Sequence, residues 1–140
     1  MVPHSAIMSL LTPISVGEFL DKISILEIKS ERIDDATKLH NIRHELAQLR
    51  AAWAASPYAQ ADIEPEYSQL KQVNEALWDI EDDIRNKEHA REFDTGFIKL
   101  ARTVYVTNDR RAALKKVLNL KLGSDLVEEK SYADYRHDSV

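Results

Sequence analysis

The residues best equipped for chemistry lie between Glu75 and Lys121. Glu81, Asp82 and Asp83 form a carboxylate run, and clustered carboxylates are what magnesium prefers. Helical geometry divides such a run: Glu81 borders the apolar seam, while Asp82 and Asp83 face outward as a solvated acidic face. Downstream, Lys99, Arg102, Arg110, Arg111, Lys115, Lys116 and Lys121 stand against a single acid, Asp109. Arg102, Arg111 and Lys115 are the kinds of side chain that hold phosphate or carboxylate. Tyr105, Asn108 and Lys115 follow in steps of three and seven, which places them on one helix face with Arg102 and Asp109 at its border. A face built only for stability would carry leucine there. Glu81, Arg85, Arg102, Tyr105, Asn108, Asp109 and Lys115 are therefore the candidate ligand-binding set, expected to converge between two helices. The alternative use of the same residues is a buried polar network that fixes helix register.

Three other patterns have plainer readings. The stretch Glu75–Asp94 holds eight acids against Arg85, Lys87 and Arg91, so it and the basic stretch after it form neighbours of opposite sign. Ion pairing between these two helices explains that contrast without a ligand. His40 and His44 are four apart, as two metal ligands on one helix face would be, but they lie off the apolar stripe and read as exposed. Glu18-x-x-Asp21 resembles one of the two carboxylate pairs of the all-α nucleotide pyrophosphohydrolases, but it precedes every candidate for the first pair. No residue is assigned as catalytic, and no metal or other cofactor is expected.

The elements that position these groups follow from hydrophobic period. Leu70, Leu77 and Ile84, with Val73 and Ile80 between them, mark a helix from about Glu66 to His89. Asp94 or Thr95 caps the next helix, whose stripe of Phe97, Ala101, Val104, Tyr105 and Ala112 rotates near Asn108 to Leu114, Val117 and Leu118. That rotation predicts a kink or a fresh start at Asn108. Before them, Ser15-Val16-Gly17-Glu18 has the form of a capping box and opens a helix running to about Ile33. Its main stripe is Val16, Phe19, Leu20, Ile23 and Leu26, with Ile25 and Ile28 facing the other way. Asp35 caps a further helix through Leu39, Ile42, Leu46, Leu49 and Trp53. Residues 1–13 read as an extended segment partly laid on the bundle, and the chain after Gly123 reads as a polar arm.

The expectation is thus an all-α bundle of four main helices in a single domain, 1–140, with the bundle at about 14–122 and the arm at 123–140. Ile25 and Ile28 predict a homodimer, since they have nothing to pack on if the first helix lies at the bundle edge. The sequence has 140 residues and no cysteine, which removes disulfides and thiolate chemistry and suits a reducing cytoplasm. A formal charge of −5 speaks against nucleic acid as a partner, and no apolar run reaches membrane-spanning length.

PISVGEFLDKISILEIKSERI, VNEALWDIEDDIRNKE, FDTGFIKLARTVYVTNDRRAALK and GSDLVEEKSYADY together resemble an uncharacterised bacterial family of small helical proteins, a domain of unknown function. The resemblance spans about 13–135 and implies a setting near proteins of surface-polysaccharide assembly, with no catalytic residues to carry over. The functional expectation is a non-enzymatic binding or adaptor module for a protein partner or a small anionic ligand. The competing class is a metal-dependent enzyme on a phosphorylated or nucleotide substrate, with Glu81 as metal ligand or base and Arg102 and Lys115 on phosphate.

Overall fold

The computed structural model describes residues 9–136. The chain is all-α: helices α1 (Val16–Arg32), α2 (Ala36–Ala54), α3 (Glu64–His89) and α4 (Thr95–Leu122) follow in order. Their ends are chemically marked. Ser15 accepts from the Glu18 N–H, Asp35 from Lys38 and Asp94 from Phe97, while Pro65 sits in the first turn of α3. Gly123 ends α4 in the left-handed region at φ 65°, where a side chain would be strained.

Helix α1 is the centre of the arrangement, packing against each of the other three, while α2 packs on α1 alone. One cluster joins Val16 and Leu20 of α1 to Leu70 and Leu118. A second joins Ile23 and Leu26 to Ile42 and Leu46 of α2. Trp53 and Tyr67 touch both clusters and tie them together. Ile28, which pointed to a second subunit, is only 1% exposed within the single chain, and Ile25 is half-buried. The two-sided apolar character of α1 is explained by its central position, so that ground for a dimer falls away.

Helices α3 and α4 form a hairpin longer than α1. Where α1 covers it, Leu70, Val73, Asn74, Thr107, Leu118 and Asn119 are buried. From Glu75 to Val106 no residue is buried, although the apolar seam continues through Leu77, Ile80, Ile84, Leu100 and Val104. The far end of the hairpin therefore projects beyond the core.

Two expectations need correction. α4 runs from Thr95 to Leu122 without a restart at Asn108. Its stripe rotates because the first half meets α3 alone, whereas the second half meets α1 as well. Leu10 and Leu11 are 95% and 91% exposed, so the described part of the N-terminal segment is not laid on the bundle; residues 1–8 lie outside the described residues.

Candidate functional site

The face of α4 toward α1 is polar, and its period is that of a helix: Asn108, Arg111, Lys115 and Asn119 step by three, four and four. Helix α1 meets it with Gly17, Glu18, Asp21 and Ser24. Asn119 accepts the Gly17 N–H at 2.7 Å. A Cβ on Gly17 would lie 2.4 Å from the Lys115 backbone oxygen, so only glycine permits this approach. Lys115 pairs with Glu18, and Arg111 grips Asp21 with Nε, at 3.0 Å, and with Nη2. Asn74 from α3 donates to Asp21 and to Ser24, each at 2.8 Å. Asp21 is 1% exposed, and its two oxygens between them accept three hydrogen bonds. A buried carboxylate is tolerable only when paired and bonded in this way. The same carboxylate, through its hydrogen bonds, holds the Arg111 guanidinium above its already high range.

The opening turn of α1 is closed by the end of α4. The Val16, Gly17 and Glu18 N–H groups, which a helix leaves free, find Ser124, Asn119 and Ser15. Ser15 in turn donates to Glu128 in the arm. From there the arm returns along α4: Lys116 pairs with Glu129, and Tyr135 packs on Tyr105. Asp109, accepting a bond from Tyr135, pushes that phenol above its ordinary range.

Two clefts flank this interface. The larger, about 870 Å³, lies between the arm and α4, with Tyr105, Asn108, Asp109 and Arg111 on one wall and Lys130, Tyr132 and Arg136 on the other. The smaller, about 470 Å³, opens at the end of α1 among Ile28, Lys29, Asn74, Trp78, Glu81, Arg85, Asn108 and Arg111. Asn108 and Arg111 border both. Arg111 spends Nε and Nη2 on Asp21, and no partner for Nη1 occurs among the described residues.

The predicted set is divided by this geometry. Glu81 and Arg85 pair with each other along α3 and line the smaller cleft. Tyr105 and Asp109 line the larger, and Asn108 touches both. Arg102 faces an outer groove beside Ile98 and Tyr105. Lys115 is committed to Glu18. The seven residues therefore do not form one seam between α3 and α4. Nor do the two oppositely charged helices pair as expected: α4 sends Arg111 and Lys115 to α1, while Glu75 and Asp79 of α3 pair with Arg32. Lys121 and Glu66 form the one ion pair between α3 and α4 among the described residues. His40 and His44 are exposed. Asp21, Ser24 and Asn119 were missed as site residues. The signal was present in the three-four-four step of α4 and in its small and acidic counterpart, Gly17, Asp21 and Ser24, on α1.

The chain belongs to the Family of unknown function (DUF6165), whose model matches residues 10–137. No curated protein matches it, and no solved structure does.

Proposed function

We propose that the protein is a non-enzymatic binding module whose ligand carries a carboxylate or phosphate and enters the cleft between the arm and α4. The observation that carries this reading is Arg111. Asp21 fixes one edge of its guanidinium through Nε and Nη2, and Arg111 borders both clefts. An arginine fixed in this manner loses little freedom on meeting an anion, and its charge and Nη1 are what it still has to offer one. Asn108 supplies an amide beside it, Lys130 adds positive charge from the arm, where Arg136 is paired with Asp134, and Tyr105 and Tyr132 offer ring faces. The anion need not be a free metabolite, since the C-terminal carboxylate of a partner protein presents the same group. The resemblance to a family found near surface-polysaccharide assembly makes sugar phosphates part of the panel. The setting proposed is the cytoplasm; no helix of the described residues is long and apolar enough to cross a membrane.

Thermal unfolding with inorganic phosphate, citrate, a sugar phosphate and a nucleotide sugar tests the reading. A ligand at a hundred times its dissociation constant adds about 2.7 kcal/mol. The stabilisation should disappear in Asn108→Ala and Tyr132→Ala, which leave the Asp21 pair intact. No shift with any of the four probes would contradict it.

The enzyme alternative loses its geometry. It needs Glu81, Arg102 and Lys115 around one substrate, yet Glu81 lies beside Arg85, Arg102 faces outward and Lys115 is held by Glu18.

A further inference from the structure

The arm that forms the outer wall of the larger cleft is fastened unequally at its two ends. At its root it is bound into the helices. The Ser124 N–H reaches the Asn119 carbonyl at 2.8 Å, and the Ser124 hydroxyl accepts the Val16 N–H. Ser15, only 2% exposed, donates to Glu128, and Lys116 pairs with Glu129 at 3.1 Å. The far end is held by Tyr135, whose hydroxyl bonds to Asp109 and whose ring lies 6.1 Å from that of Tyr105. Both rings stand in water, Tyr105 being 55% exposed and Tyr135 42%. Between these fastenings, among the described residues, no hydrogen bond or ion pair joins 130–134 to a helix. Asp134 turns to Arg136 and Lys130 lies over the Tyr132 ring, so the span engages only itself. It bridges the cleft of about 870 Å³, with Lys130, Tyr132 and Asp134 on its outer wall and α4 beneath.

We infer that the arm is a strap hinged at its root, which opens and closes the cleft by releasing and re-seating Tyr135 on α4. The inference rests on the anion reading for what the strap encloses, though not for the motion itself. The unequal fastening decides which end moves. Opening at the root would free N–H groups in the first turn of α1 that the helix cannot satisfy. Opening at Tyr135 releases groups that already face water, which places that end among the least stable parts of the fold. An anion held by Arg111 on α4 and by Lys130 on the strap touches both walls. It therefore binds the closed form better than the open one and draws the strap shut. The seating of Tyr135 then sets affinity, because the apparent dissociation constant rises as the closed fraction falls.

The test is backbone amide relaxation by NMR on the full chain, first without ligand and then with citrate, whose carboxylates can reach both walls. In the empty wild type, amides 130–136 should keep order parameters above about 0.6, the limit below which a backbone is flexible. Tyr135→Ala, an exposed change outside the core, should drop them below it while 124–128 keep their wild-type values. Citrate should bind Tyr135→Ala about tenfold more weakly, the loss expected when the closed fraction falls to about a tenth. An arm already below that limit in the wild type would overturn the inference. So would an arm that Tyr135→Ala leaves ordered, disorder reaching back to Ser124, or equal citrate affinity in the two proteins. Citrate binding to neither protein would contradict the anion reading instead, and the relaxation of the empty chains would still decide for or against the strap.

Discussion

The two ends of the α3–α4 hairpin are made of similar residues and do opposite things. At the base, α1 lies across both helices, and Leu70, Leu118, Asp21 and Asn119 are almost wholly removed from water. At the far end, residues 75–106 include no buried side chain. The base buries charge and matches it group by group: Asp21 with Arg111 and Asn74, Glu18 with Lys115. The far end keeps its ion pairs at the surface, Arg85 with Glu81 and Lys87 with Asp94. The presence of a third helix makes the difference, because a two-helix hairpin has only one seam and cannot enclose its own side chains. Stability is concentrated where α1 reaches.

Matched truncations at the two ends give the largest contrast. Leu70→Ala should cost about 4 kcal/mol, since this residue is fully enclosed and the cavity cannot collapse. Ile84→Ala, half-buried in the projecting seam, should cost about 1 kcal/mol. Equal losses in urea denaturation would erase the distinction.

The polar interface comes next. Arg111→Met should cost about 3 kcal/mol, because it strands Asp21 in the interior. Adding Asp21→Leu should recover most of that loss, the mark of a pair whose members matter chiefly to each other. At the far end Arg102→Met should change stability by less than about 0.5 kcal/mol. Arg102 was expected to converge with the other polar residues between α3 and α4, and its outward position removes it from that set.

Smaller still is Gly17→Ala, at about 2 kcal/mol, from forcing α1 away from the Lys115 carbonyl. Gly96→Ala, near the projecting end, meets only the flexible Asp94 and Lys87 side chains and should cost well under about 1 kcal/mol.

The smallest effect is one of pH. Lys121, hydrogen-bonded to Glu66 at the base, holds that carboxyl below its ordinary range. A depressed carboxyl contributes stability above its unfolded pKa, and loses it as pH falls through the folded value. The slope should appear below about pH 4 and flatten in Glu66→Gln. The Asp94 carboxyl is lowered by the Phe97 N–H and by Lys87, so Asp94→Asn should flatten the same slope at the hairpin turn.

Much of this is legible in the sequence alone. Ser15, Asp35, Asp94 and Gly123 marked helix ends through local chemistry, which a sequence carries in full. The seam from Leu70 to Ile84 announced itself through its period. What was lost is pairing at a distance. Lys115 and Glu18 are each ordinary in their own helices, and only the placement of α1 across α4 joins them. Reading α3 and α4 as mutual partners sent the acids and bases to the wrong neighbours, because charge contrast along a chain does not say which third helix intervenes. Ile28 misled for the same reason. The Asn108–Asn119 stripe had the right period to be found, but its importance rests on Gly17 and Asp21 opposite.

Hydrogen exchange of the amides, measured at about 1 µM, tests the division between the two ends most directly. Amides of α1 and of the facing segments 70–74 and 111–119 should exchange only through global unfolding. Those between 80 and 104 should exchange at least about a hundredfold faster through local opening of the projecting hairpin. Uniform protection along the whole of α3 and α4 at that concentration would contradict the account.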